Sequence, residues 1–345
     1  MVNQLLINGM LFFPQNLKIN KKIKIGLVGS GSIAHEHCKI IKYFNHEIFL
    51  LITKKNSKKS DQLKKKYNIK NHILNFNHIK DYEKYIDAFV VATPWNQNHL
   101  ILLKLINFKK PILIEKPIIF TDYSYKKLKI LNKNYKEKIH ISYNRNFYDF
   151  VPLIINHLKI NREVLIIANL SDSYQKIISK RGKKIKKYLL EYITSHWLCL
   201  LYMLAKNINM KLELINKNNN QKNLRSFTLN FKNGNKSSKK QIILNLIPDV
   251  PKNLSIEFFF KKKYIKLSPI EEINIIKDLK LKKRANQNIY TEVLEKNYKV
   301  NNSFKPGYKL MYYEFVKNIF FSKKSNYSIN LIDLFQIQNL IKKLK

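Results

Sequence analysis

Residues Gly29-Ser30-Gly31-Ser32-Ile33-Ala34 follow directly on the apolar run Ile23–Val28. The run reads as a buried parallel strand, and Ile33–Tyr43 as the helix after it. A G-x-G-x-x-A turn in that place suits a pyrophosphate. Gly29 permits the tight turn, Gly31 lets a phosphate approach the backbone, and small Ala34 lets the helix pack on the strand. The helix N-terminus adds unpaired N–H groups and the positive end of its dipole. Strand, glycines and helix come in the order a dinucleotide site requires, although an ordinary strand–turn–helix connection shares that order.

Three further motifs close predicted strands. Asp87–Ala92 runs into Thr93-Pro94, with His99 shortly after; Pro111–Ile114 ends at Glu115-Lys116-Pro117; His140–Tyr143 ends at Tyr143-Asn144-Arg145-Asn146-Phe147. Ligands on a doubly wound sheet bind beyond the carboxyl ends of its strands, and all these residues fall there.

The elements that must position them alternate. Ile48–Thr53, Asn71–Asn75, Asp87–Ala92, Pro111–Ile114 and His140–Tyr143 read as strands, and Lys58–Tyr67, Asn98–Phe108 and Tyr123–Asn132 as helices. This order implies a doubly wound parallel sheet over 21–147, after an N-terminal extension over 1–20. Beyond it, over 148–345, the pattern is α+β with a mostly antiparallel sheet. Helix Val151–Leu158 precedes strand Glu163–Leu170, and a Lys-rich loop around Ser179–Lys187 leads to an apolar helix, Leu189–Leu204. Strands Lys211–Ile215, Arg225–Phe231, Gln241–Leu246, Leu254–Phe260 and Tyr264–Leu267 follow, with a hairpin turn at Asn233-Gly234. Asn216–Asn220 reads as a loop tip, Lys305-Pro306-Gly307-Tyr308 as a structural turn, and Leu310–Phe320 and Leu331–Leu344 as closing helices.

Composition narrows the function classes. The chain has 345 residues, 45% hydrophobic content, 20 Tyr and 20 Phe, which exclude a disordered protein. The formal charge of +42 invites a nucleic-acid reading, but arginine occurs only at 145, 162, 181, 225 and 284. A reader of bases favours Arg for bidentate contacts. The lysines rise together with Asn and Ile along the whole chain, so no specific nucleic-acid partner is expected. Cys38 and Cys199 have no metal-ligand or disulfide spacing, so no metal is expected and the compartment reads as the reducing cytoplasm. No membrane span and no signal peptide are expected.

With the glycine turn, the strand-end motifs resemble the Gfo/Idh/MocA (glucose–fructose oxidoreductase / inositol dehydrogenase) family. The resemblance is specific over the first 147 residues and looser after. It implies a Rossmann domain, an α+β domain whose open sheet packs against another subunit, and hydride transfer between a nicotinamide and a sugar, nucleotide sugar or polyol. A homo-oligomer, dimer or tetramer, is the corresponding partner. In this reading Lys116 donates a hydrogen bond to the reacting oxygen and stabilises alkoxide charge. A surface lysine is the competing reading, opposed by Glu115 and Pro117 after a buried strand. Thr93, Pro94, His99, Glu115 and Arg145 line the cofactor beside Gly29–Ala34. His196, on the apolar helix, fits the family's histidine, an imidazole suited to proton exchange near neutral pH. The family's usual Asp four residues before it is Tyr192 here. Tyr192 lies on the same helical face and can offer its phenol, whereas Glu191 points about 100° away.

The absent Asp leaves open a non-catalytic dinucleotide-binding regulator of the same fold, and a biliverdin-type reductase shares the architecture. The ribose-selecting position, about 20 residues beyond the glycine turn, holds Thr53-Lys54-Lys55-Asn56 with no carboxylate. That pattern favours NADP over NAD, since Lys54 or Lys55 attracts a 2′-phosphate and Thr53 can donate to it.

Overall fold

The computed structural model describes residues 5–7, 10–12, 18–221, 224–234, 236–284, 287–301, 303–321 and 325–345. In chain order the first elements are β1 (Leu5–Ile7), β2 (Met10–Phe12), β3 (Lys24–Val28), α1 (Ser32–Tyr43), β4 (Glu47–Ile52), α2 (Lys58–Tyr67), β5 (Asn71–Ile73) and β6 (Ala88–Val91). Then come α3 (Asn98–Leu105), β7 (Ile112–Ile114), α4 (Asp122–Lys129), α5 (Lys133–Lys136), β8 (Ile139–Ile141), α6 (Val151–Ile160), β9 (Val164–Leu170) and α7 (Tyr174–Arg181). The remainder is α8 (Ser195–Asn207), β10 (Lys211–Gln221), β11 (Leu224–Asn233), β12 (Lys236–Leu246), β13 (Ser255–Phe260), β14 (Lys263–Leu267), β15 (Glu272–Arg284), β16 (Gln287–Lys299), α9 (Tyr308–Phe321), β17 (Ile329–Asn330) and α10 (Leu331–Leu344).

The chain divides into two units. Gln15–Phe147 and Asn302–Gln338 form the first; Val2–Pro14, Tyr148–Asn301 and Asn339–Lys345 form the second. The sequence pattern predicts one domain over 148–345, so the return of 302–338 to the first unit is a difference. Pairing and packing explain it. β17 pairs antiparallel with β8, and Tyr312 on α9 stacks on Phe44 at 5.7 Å between ring centroids. The expected 1–20 extension lies mostly outside the described residues; within it β1 pairs with β2.

The first unit's sheet has the order β17-β8-β7-β6-β3-β4-β5. Every pairing is parallel except β17 with β8. β3 is central, with β4 on one side and β6 on the other, so the strand order reverses between β3 and β6. That is the topological switch point where such sheets bind ligands. Ile25, Leu27, Phe89, Val90, Ile112 and Ile114 are fully buried, as expected of parallel strands covered on both faces.

The second unit's sheet has the order β10-β11-β12-β9-β13-β14-β15-β16, antiparallel throughout except β9 with β12. Burial alternates along β9, and Phe227, Leu229 and Phe231 are buried on β11, the pattern of a sheet packed on one face. Gly234 has φ +58°, and Asn233 pairs with Lys236 across the hairpin.

Two expectations are corrected here, and one hairpin is added. Asn216–Asn220 is not a loop tip but part of β10, where Asn216 pairs with Thr228 and Lys217 with Phe227. The Lys-rich loop around 179–187 is α7 followed by a 3-10 turn, Lys183–Tyr188. β15 and β16 form a long hairpin that the sequence reading did not identify. Ile273, Ile275 and Ile276 at the start of β15 are buried, and the Lys-rich remainder is held by the hydrogen-bond ladder between the two strands.

Candidate functional site

The turn between β3 and α1 is shaped by its glycines. Gly29 has φ +103°, and a Cβ there would stand 2.5 Å from the Ala92 carbonyl oxygen at the end of β6. Only glycine fits that close approach. At Gly31 a Cβ would meet nothing within 4 Å, so the space in front of the turn is open. Gly31 is the N-cap of α1, no side chain caps the helix, and its first turn carries no acidic residue. Ser32 opens α1, and Ala34 is fully buried against the sheet. Ser30 and Ile33 are half-buried. An uncapped helix start facing open space at a switch point fits a dinucleotide pyrophosphate.

Thr53 follows β4 and is buried, while Lys54 and Lys55 are exposed. The Thr53 hydroxyl donates to the Lys55 carbonyl at 3.1 Å and lies 2.7 Å from His72 Nε2.

A residue the sequence reading passed over links two of the motifs. Asn98, fully buried at the start of α3, accepts from the Thr93 hydroxyl at 2.7 Å. Its amide nitrogen donates to the carbonyls of Glu115 at 2.7 Å and Pro117 at 3.0 Å. The Thr-Pro turn and the Glu-Lys-Pro turn are thereby held side by side, with Lys116, half-buried, between the two bonded carbonyls. The signal was a buried polar residue opening a helix just after Thr93-Pro94. Pro94 is exposed in its turn, and Gln97 N–H donates to its carbonyl. His99, beside Asn98, has its pKa lowered by burial.

Glu115 does not face solvent. Its Oε1 lies 2.9 Å from His37 Nε2 and accepts from the Tyr308 hydroxyl at 2.8 Å. Lys305 Nζ donates to that hydroxyl at 3.0 Å and sits 4.4 Å above the Tyr308 ring. Burial alone would raise the carboxyl pKa. The hydrogen bond and field of His37, then Lys305 and Tyr308, hold it below its ordinary value. Glu115 is thus a buried anchor within this network, immediately before Lys116. Gly307, at φ +77°, would put a Cβ 2.0 Å from the Asn144 carbonyl oxygen, and Asn144 donates to the Pro306 carbonyl at 2.9 Å. The Lys305–Tyr308 turn therefore seats directly on the Tyr143-Asn144-Arg145 segment. Arg145 is half-buried within the 3-10 turn Asn144–Phe147, and Tyr143 is buried.

In the second unit the expected helix Leu189–Leu204 is two elements. Leu190–Thr194 is a π-helical turn, and α8 begins at Ser195. Ser195 N–H reaches back to the Leu190 carbonyl, the wide i→i+5 spacing seen mostly at single-turn bulges. Glu191 Oε1 accepts from Lys345 Nζ at 2.6 Å. The Tyr192 ring lies against the Arg181 guanidinium at 5.9 Å. His196 is buried at 6% exposure, between Ser195 and Trp197.

Among the described residues no group of three or more His, Cys, Asp or Glu is placed to hold a metal ion. None of the described helices is long and apolar enough to cross a membrane.

Residues 23–143 match a family described as an oxidoreductase family with an NAD-binding Rossmann fold. No curated protein matches the chain in sequence. Solved structures share the fold. A dehydrogenase (MviM) from Clostridium difficile is 19% identical with a TM-score of 0.65, over 93% of this chain and 98% of that one. UDP-N-acetylglucosamine 3-dehydrogenase GnnA from Acidithiobacillus ferrooxidans is 9% identical with a TM-score of 0.63, over 94% and 97%. A myo-inositol dehydrogenase from Corynebacterium glutamicum is 16% identical with a TM-score of 0.62, over 93% and 96%.

Proposed function

We propose that this chain, whose residues 23–143 match the NAD-binding Rossmann fold of the Gfo/Idh/MocA oxidoreductases, is a member of that family with NAD(P)-dependent dehydrogenase or reductase activity on a sugar, nucleotide sugar or polyol. The observation that carries this reading is the open Gly31 turn at the switch point, with Lys116 stapled at the end of β7 by Asn98. The bound nicotinamide would supply or accept the hydride. The chain's own residues do the rest. Gly31 and the first N–H groups of α1 receive the pyrophosphate. Lys116 donates a hydrogen bond to the reacting oxygen and offsets alkoxide charge as it develops. His196 exchanges the proton, in the range where imidazole titrates. Tyr192, at the position of the family's usual Asp, is proposed to offer its phenol to this proton exchange, with its ring against Arg181.

Lys54 and Lys55, with no carboxylate beside them, support a preference for NADP. The substrate class draws support from the sugar-directed names of the structural relatives. Copies of the chain would associate through the second unit's sheet. Leu279, Leu281, Tyr290 and Leu294 support this, being 58%, 41%, 70% and 52% exposed on one face of the β15–β16 hairpin. A cytoplasmic location remains part of the proposal.

The test is a fluorescence titration with NADPH and NADH, then turnover against a panel of sugars, nucleotide sugars and polyols. Turnover supports the enzyme reading. Tight dinucleotide binding with no turnover across the panel would favour the regulator instead.

A further inference from the structure

His72 was absent from every motif, yet it touches the ribose-selecting position. Thr53 stands just past β4, and His72 lies on β5, the next strand outward and the edge of the sheet. The Thr53 hydroxyl has one proton, and it is directed to the Lys55 carbonyl at 3.1 Å. In the imidazolium form both ring nitrogens carry hydrogen, so across the 2.7 Å contact Nε2 donates to the Thr53 oxygen.

The consequence is a defined arrangement. His72 occupies a lone pair of the Thr53 oxygen and leaves the hydroxyl proton free to swing from the Lys55 carbonyl to an incoming anion. Lys54 and Lys55 are exposed beside it. We propose that His72 is a specificity-determining residue, whose imidazolium form favours a dinucleotide carrying a 2′-phosphate on its adenosine ribose. This inference rests on the dinucleotide reading above.

The sign of the pH dependence follows from the surroundings. Burial, then Lys64 on α2, lowers the His72 pKa, and Asp61 on α2 opposes them. Without a ligand the imidazole is accordingly neutral near pH 7. A 2′-phosphate placed nearby acts in the opposite sense and favours the imidazolium. Phosphate binding then takes up a proton, so affinity for NADPH rises relative to NADH as pH falls. Uptake of one proton changes the affinity ratio by at most about tenfold per pH unit. The phosphate's own second ionisation, with pKa about 6, works against the effect, but identically in any variant.

The experiment measures the ratio of dissociation constants, NADH over NADPH, from pH 8.5 to 6.0 at fixed ionic strength. It is run on the full chain, on His72→Gln and on Thr53→Val. His72→Gln keeps an N–H donor toward Thr53 but cannot ionise; Thr53→Val keeps the shape and loses the hydroxyl. The ratio should rise about three- to tenfold with falling pH in the unmodified chain. His72→Gln should lose that slope, and Thr53→Val should lower the ratio at every pH. Equal slopes in the unmodified chain and His72→Gln, with NADPH still bound, overturn this inference and leave the dinucleotide reading standing. Absence of binding of either dinucleotide to the folded chain overturns both.

Discussion

Tyr308 donates its hydroxyl to Glu115 Oε1 at 2.8 Å, joining the start of α9 to the end of β7 within the first unit. The same carboxylate oxygen lies 2.9 Å from His37 on α1. Three elements distant in sequence thus converge on one buried anion, immediately before Lys116. A buried carboxylate is tolerated only when such partners satisfy it.

Gly31→Glu should fold normally, because a Cβ at this position meets nothing within 4 Å. It should abolish NADPH and NADH binding by placing bulk and negative charge where the pyrophosphate lies. Unchanged affinity in fluorescence titration would remove the cofactor assignment. Gly29→Ala is the structural counterpart: the Ala92 carbonyl is 2.5 Å from the new methyl, so a loss of thermal stability is expected instead.

Lys116→Ala and His196→Ala should each retain cofactor affinity and lose turnover by on the order of 10²-fold or more. Near-normal turnover of Lys116→Ala on the substrate found in the panel would defeat its proposed role.

Asn98→Ala deletes one acceptor and two donors at a buried site. Leaving the Glu115 and Pro117 carbonyls without this partner should cost about 2 kcal/mol or more, measured by urea unfolding. Because those carbonyls flank Lys116, turnover should fall by a larger factor than stability alone explains.

Acid stability should depend on His46. This residue is buried, and its Nδ1 accepts from the Ile23 N–H at 3.3 Å. Burial lowers its pKa to about 4, with Asp87 opposing. In the unfolded chain the value is about 6.5, so the unfolded state binds more protons between the two. The contribution is fully present above pH 6.5 and is lost as pH falls toward 4, on the order of 1–3 kcal/mol. His46→Asn, which keeps an acceptor but cannot ionise in this range, should flatten unfolding free energy over that window. Glu115, also held below its ordinary pKa, acts with the same sign: its contribution is present above about pH 4.3 and fades at more acidic pH. An unchanged slope in His46→Asn would show that another group controls it.

Leu281 and Tyr290 are cross-strand partners on the exposed face of β15–β16. Replacing them together, Leu281→Glu with Tyr290→Lys, keeps a complementary pair in the hairpin but removes the apolar surface. Light scattering should show an oligomer in the unmodified chain and a smaller species in the variant. A monomeric unmodified chain would refute the association.

Local pattern determined what local physics controls. The Ile23–Val28 run, the glycine turn and the helix after it were legible because buried parallel strands are apolar throughout and the turn demands small residues. The strand ends at Thr93, Glu115 and Arg145 followed from the same alternation. The family resemblance rested on these stretches and is looser beyond them. Tertiary structure decided everything that depends on partners remote in sequence. Asn98 became a staple only because β6 and β7 are parallel neighbours. Glu115 turned inward because His37 and Tyr308 reach it from α1 and α9. β15 and β16 pair along their length, and only the fold buries Ile273 and Ile275 while leaving Leu279 and Leu281 exposed. The π-turn before His196 inserts a register change that no fixed helical period contains. Periodicity reports which face of an element is buried; only the fold determines which side chain meets it there.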